Sequence, residues 1–143
     1  MERIIGQLRE NPAGKRIDTV LYEWFEQNSR VLKKVSSAGE EIGLRLDEPL
    51  TDGGVLFESE SRIIALTLLP CEVTRVTVFS MEEMGRACFE LGNRHLPIAV
   101  REKFVETPYD APTFEYLRKS GFTCEKRTAK FTPSVIVRGH SHG

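Results

Sequence analysis

Apolar positions follow two regimes along this chain. Up to about residue 70 they come in short runs, and Ile42, Leu44 and Leu46 alternate with Gly43, Arg45 and Asp47 in the period of a half-buried strand. Further strands are predicted at Ile4-Ile5, over 18–25, over 30–35 and at Val55-Leu56-Phe57, with turn residues between them at Asn11-Pro12-Ala13-Gly14, over 36–39 and at Thr51-Asp52-Gly53-Gly54. Short strands with regular punctuation predict a small β-sandwich or barrel-like domain over 1–70. It contains no histidine and no cysteine, so it reads as a folding and partner-docking module.

The pattern changes between Ala65 and Cys71, with Pro70 as the hinge. From there the spacing predicts a strand over 73–78, a helix over 81–91, strands over 98–101 and 104–106, a helix over 111–119 and a strand over 123–131. Strand-helix-strand taken twice is the ferredoxin-like βαββαβ arrangement, placed here at 71–133 within an α+β chain. The first helix has both ends written in. Ser80 and Glu83 form a capping box, Met81, Met84, Cys88 and Leu91 make one apolar stripe, and Gly92 suits the left-handed position after the last turn, with Pro97 beyond it. Asn93, Arg94 and His95 would then stand on a rigid corner. The second helix has Asp110 as its N-cap, Pro112 in its first turn, Phe114 and Leu117 facing inward and Gly121 at its exit. Residues 134–143 lack periodicity, end in Gly139-His140-Ser141-His142-Gly143 and are expected to form a flexible tail.

Composition narrows the function classes. A formal net charge of −1 over 143 residues, with Lys and Arg spread along the chain, argues against a general nucleic-acid binder, which wants a basic face. The longest apolar run, at 63–69, is far short of a membrane span, and the N-terminus MERIIGQLRE is charged where a signal peptide would be apolar, so a cytoplasmic location is expected. Cys71, Cys88 and Cys124 have no CxxC spacing and read as reduced, largely buried thiols. Cys88, Met81 and Met84 are assigned to the core.

His95 is the one histidine before the tail. Histidine as a residue type is largely neutral in the cytosol and offers a ring nitrogen to a borderline metal such as Ni²⁺, Zn²⁺ or Cu²⁺. One imidazole is a poor site, but a two-fold dimer with His95 near its axis would supply two from one position. The competing reading is a side chain gaining a few tenths of a kcal/mol from the helix dipole. Asn93 and Arg94 read as corner residues that fix the imidazole, with a surface salt bridge as the alternative for Arg94. His140 and His142, two apart between glycines, could close on the same ion or be a solvated terminus that happens to carry histidine.

Leu91-Gly92-Asn93-Arg94-His95-Leu96 followed by Pro97 resembles the signature of the urease accessory protein UreE family, which carries nickel for urease maturation. Glu41-Ile42-Gly43-Leu44 with Leu50-Thr51-Asp52-Gly53-Gly54 looks like that family's central hairpin, Tyr109-Asp110 also resembles a family feature, and the element order matches over nearly the whole chain. The resemblance implies a peptide-binding-like N-terminal domain and a metal-binding, dimerising second domain. It also implies a homodimer holding one Ni²⁺ through His95 of each chain, with His140 and His142 adding nitrogens. The implied partners are the urease accessory GTPase and the complex of apo-urease with its accessory proteins. Many relatives carry a histidine pair just before the second helix or a long histidine-rich tail; this chain has Tyr109 and Ala111 there and two tail histidines, favouring one metal per dimer over storage.

Other classes fare less well. An enzyme using His95 as general base lacks a coupled nucleophile or a phosphate loop. A ferredoxin-like RNA- or protein-binding module would use aromatics on the central strands, and residues 73–78 have none. A zinc- or copper-binding protein without a urease role shares the same candidate ligands.

Overall fold

The computed structural model describes residues 1–11 and 13–134. The chain divides into two compact units, the first ending at Leu69 and the second beginning at Pro70. No helix among the described residues is long and apolar enough to cross a membrane.

In the first unit, β1 (Gly6–Gln7), β2 (Arg16–Tyr22), β5 (Gly54–Glu58) and β6 (Arg62–Leu68) form a sheet in the order β1-β5-β6-β2, and β3 (Val31–Val35) pairs with β4 (Glu41–Arg45) as a separate ribbon. The predicted alternation holds, since Ile42, Leu44 and Leu46 are all buried against Val20, Tyr22, Ile64, Leu66 and Leu68. Strand β6 is the central run, buried on both faces, with Ile63 and Ala65 packing on the side opposite Ile64 and Leu66. Three expectations shift. The strand expected over 18–25 stops at Tyr22, because the Glu26 carboxylate accepts the Glu23 N–H at 2.9 Å and turns Trp24–Glu26 into a 3-10 segment. The strand placed at Ile4-Ile5 lies two residues later, where Leu8 N–H reaches the Gly53 carbonyl at 2.6 Å. Strands β4 and β5 do not form a hairpin with each other: β4 pairs with β3, and β5 with β1 and β6.

The second unit runs β7 (Cys71–Thr77), α1 (Met81–Asn93), β8 (Ala99–Val100), β9 (Phe104–Pro108), α2 (Ala111–Lys119) and β10 (Thr123–Ala129). Its sheet has the order β10-β7-β9-β8 with every pairing antiparallel, the ferredoxin-like arrangement. Val76, Val78 and Val105 meet Ala87, Leu91 and Leu117 across the helix-facing side. Val73, Ala99 and Phe131 are buried too, yet lie outside that cluster. Strands β10 and β8 are the two sheet edges, about 14 Å apart at the usual strand spacing, and Ser134 donates its N–H to the Ile98 carbonyl at 2.7 Å. Residues 130–134 therefore lead from the β10 edge to the β8 edge, and Phe131 among them is fully buried.

Two core assignments change. Met81, in the first turn of α1 and past the sheet, is 91% exposed rather than core, and the buried stripe is Met84, Ala87, Cys88 and Leu91. In α2 the inward positions are Thr113 and Leu117, whereas Phe114 is half-buried against Tyr109 with ring centroids 5.7 Å apart.

Candidate metal centre

The corner that carries His95 is built by α1 and its exit. At the start of the helix, the Ser80 hydroxyl accepts the Glu83 N–H at 3.0 Å, while the Glu83 carboxylate reaches one residue further back than a capping box requires and accepts from Phe79 N–H at 2.8 Å. The last turn closes differently from the sequence expectation. Gly92 lies inside the helix, and the residue with positive φ is His95 itself, at 60°. The Leu96 N–H donates to the Leu91 carbonyl at 3.1 Å and the His95 N–H to the Gly92 carbonyl at 2.9 Å, the paired bonds of a Schellman closure with His95 in the left-handed position.

Helix α2 ends in the same way, with Phe122 bonded to Leu117 at 3.1 Å, Gly121 to Arg118 at 3.0 Å, and Gly121 at φ 93°. In both closures an apolar residue just past the turn, Leu96 or Phe122, packs in the helix-facing core with a fully buried leucine five positions earlier. That contact fixes the register. A closure with Gly92 in the left-handed position would have put polar Asn93 in the place that Leu96 fills. Beyond the corner, the Thr107 hydroxyl donates to the Pro97 carbonyl at 2.8 Å and ties the exit to β9.

His95 is exposed at this fixed point. Arg94 does not serve as a hydrogen-bond partner to it. The Arg94 guanidinium lies 4.2 Å from the centroid of the Tyr116 ring on α2, and the Tyr116 hydroxyl donates to Glu90 at 3.1 Å. Asp110 caps α2 as expected, accepting from the Thr113 hydroxyl at 2.6 Å and the Thr113 N–H at 3.1 Å. Those bonds hold its carboxyl below the usual range, and the charge of Arg94 lowers it further. The thiols of Cys88 and Cys124 are pushed up by burial, which keeps them protonated and suits core packing rather than metal binding.

Among the described residues no three of His, Cys, Asp and Glu gather as a metal cluster. His95 is the ligand candidate in that part of the chain; His140 and His142 lie outside the described residues. Reading the sequence missed Tyr116. The signal for it was weak, since nothing local announces that the end of α1 and the face of α2 meet.

The chain matches the model of the UreE urease accessory protein N-terminal domain over residues 1–69 and that of the C-terminal domain over residues 71–143. It belongs to the UreE family. A urease accessory protein UreE from Actinobacillus pleuropneumoniae is 37% identical over 98% of this chain and 81% of its own length. One from Acetivibrio thermocellus is 32% identical over 99% of this chain and 96% of its own length, and one from Bifidobacterium longum subsp. infantis is 38% identical over 90% and 58%. UreE membership fits the two-unit organisation and the ferredoxin-like second unit.

Proposed function

We propose that this protein is a homodimeric nickel carrier in urease maturation, not an enzyme, and that His95 from each of two chains forms the core of its metal site. The observation that carries this is an exposed imidazole locked at the end of a helix that has, beside its exposed charged positions Glu82 and Arg86, a second exposed face without charge. Met81 and Phe89, the latter 69% exposed, lie on that face with Gly85 and Gly92. A Cβ added to either glycine would meet nothing within 4 Å, and neither has a positive φ, so the single chain offers no reason for them. Each costs the helix about 1 kcal/mol against alanine. A second helix approaching there accounts for both, and a two-fold axis passing near the corner would bring the two His95 residues together.

Two imidazoles leave coordination positions open, and the tail histidines can fill them. Ser134 is hydrogen-bonded to Ile98, three residues after His95, and six further residues reach His140, a span of roughly 20 Å when extended. That length supports delivery of His140 and His142 to the corner. The ion is cargo, and a site with few ligands at an interface lets it leave; Zn²⁺ and Cu²⁺ suit the same nitrogens. Membership of the UreE family supports hand-over, in the cytoplasm, to the urease accessory GTPase and the apo-urease complex.

The RNA-binding alternative loses ground, because Phe104, on the sheet face it would use, is stacked under Arg75 at 3.9 Å. Native mass spectrometry during nickel titration tests the carrier. One ion per two chains is expected, lost in His95→Ala, while removal of residues 139–143 weakens affinity without abolishing it. A His95→Ala variant that still holds one ion per dimer refutes the assignment.

A further inference from the structure

We propose that Tyr116 is a positioning residue for His95, acting through Arg94; this rests on the metal-site reading above. The left-handed conformation at His95 is unfavourable for a side chain with a Cβ and persists only where its surroundings hold it. Its N-terminal neighbour Arg94 provides one hold. The Arg94 N–H is bonded to the Leu91 carbonyl at 3.2 Å, and its side chain reaches across to α2, where the guanidinium covers the Tyr116 ring at 4.2 Å. The ring is itself fixed, because the Tyr116 hydroxyl is bonded to Glu90 at 3.1 Å, one turn before the corner on α1. The loop Glu90–Tyr116–Arg94 therefore ties the last turn of α1 to α2 from both sides. A corner so tied keeps the imidazole in one place without any bond to the ring, leaving both of its nitrogens for a metal. Tyr116 is 39% exposed and outside the core, so replacing it leaves the fold intact.

The test is residue-resolved hydrogen exchange on the metal-free full chain, paired with nickel titration. In Tyr116→Leu the His95 and Leu96 amides should exchange roughly two- to five-fold faster, the worth of one exposed cation–π contact, while amides of β7 keep their rates. Nickel affinity should fall by at least the same factor, and Tyr116→Phe, which keeps the ring under Arg94 but loses the bond to Glu90, should fall between wild type and Tyr116→Leu on both measures. Arg94→Leu should reproduce Tyr116→Leu without adding to it in the double variant. Unchanged exchange at His95 and Leu96, equal acceleration in β7, or full additivity of the two substitutions overturns the proposal. A wild-type protein that binds no nickel would instead overturn the carrier reading, and the exchange pattern would still decide whether the clamp exists.

Discussion

Replacing His95 by glycine should make the metal-free protein more stable while removing the metal ligand proposed at that corner. The φ of 60° at His95 is a conformation in which Cβ crowds the following carbonyl, a cost of about 1–2 kcal/mol for a residue other than glycine. Glycine escapes that cost but is freer in the unfolded chain, which returns about 0.4–1 kcal/mol. The difference is a net gain of about 0.5–1 kcal/mol. The second unit has the size at which 1 kcal/mol moves the midpoint by about 4–8 °C, so an increase of roughly 2–8 °C is expected for His95→Gly. His95→Ala keeps the unfavourable φ and should gain nothing. Gly121 supplies the reverse experiment within the same molecule: it occupies the equivalent position of α2 at φ 93°, and Gly121→His should lower stability by about 1 kcal/mol. Calorimetry or urea unfolding with chelator present, read on the second unit, measures all three. If His95→Gly is less stable than wild type without metal, the backbone at His95 is not under strain and the reasoning fails.

Gly92→Ala should raise the helicity and monomer stability of α1 by about 1 kcal/mol yet weaken dimerisation, which sedimentation over a concentration series would reveal; unchanged association would show that this face is not the interface. Asp110→Ala should cost about 1 kcal/mol through loss of the α2 cap. Because the folded pKa of Asp110 is depressed, that contribution is present above the ordinary aspartate range and disappears as pH falls through the lowered value; acid titration of stability in wild type and Asp110→Asn should diverge in that window. At the other extreme, burial and the nearby charge of Asp52 push Tyr22 up to about 12. Its stabilisation is full below pH ~10 and lost as pH rises through the folded value, a loss that Tyr22→Phe should not show. Phe131→Ala, which empties a fully buried position just past β10, should destabilise by about 3–5 kcal/mol.

Much of the second unit is legible from single residues because those residues act locally. Ser80, Asp110 and Gly121 each satisfy or shape the backbone within a few positions of themselves, and the structure finds all three in their expected roles. The alternation at Ile42, Leu44 and Leu46 is likewise a property of one strand against one core. Pairing partners are not legible in this way. Whether Glu41–Arg45 meets Val31–Val35 or Gly54–Glu58 depends on which hydrophobic face finds its complement across the unit, and turn residues on both sides permit either.

The misplaced helix end shows what local signals leave out. Gly92 has the conformational freedom for a left-handed residue, but a Schellman closure also buries the residue that follows it. Half-burial of Leu96 beside Leu91 contributes about 1 kcal/mol, and a closure at Gly92 would set polar Asn93 there instead, so packing offsets a strain of about 1–2 kcal/mol. The spacing Leu91…Leu96 was available all along, and Leu117…Phe122 repeats it in α2. Packing therefore sets the register, and the register decides which side chain stands at the corner. Where the corner only ends a helix, as at Gly121, the residue is glycine and nothing is strained; at the other corner an imidazole occupies the unfavourable position, exposed and held from Leu91, Pro97 and Tyr116. A side chain that lowers stability where glycine would raise it, and that faces solvent where it packs on nothing, needs a reason outside the single folded chain. A metal shared with a second copy, as proposed above, would supply that reason.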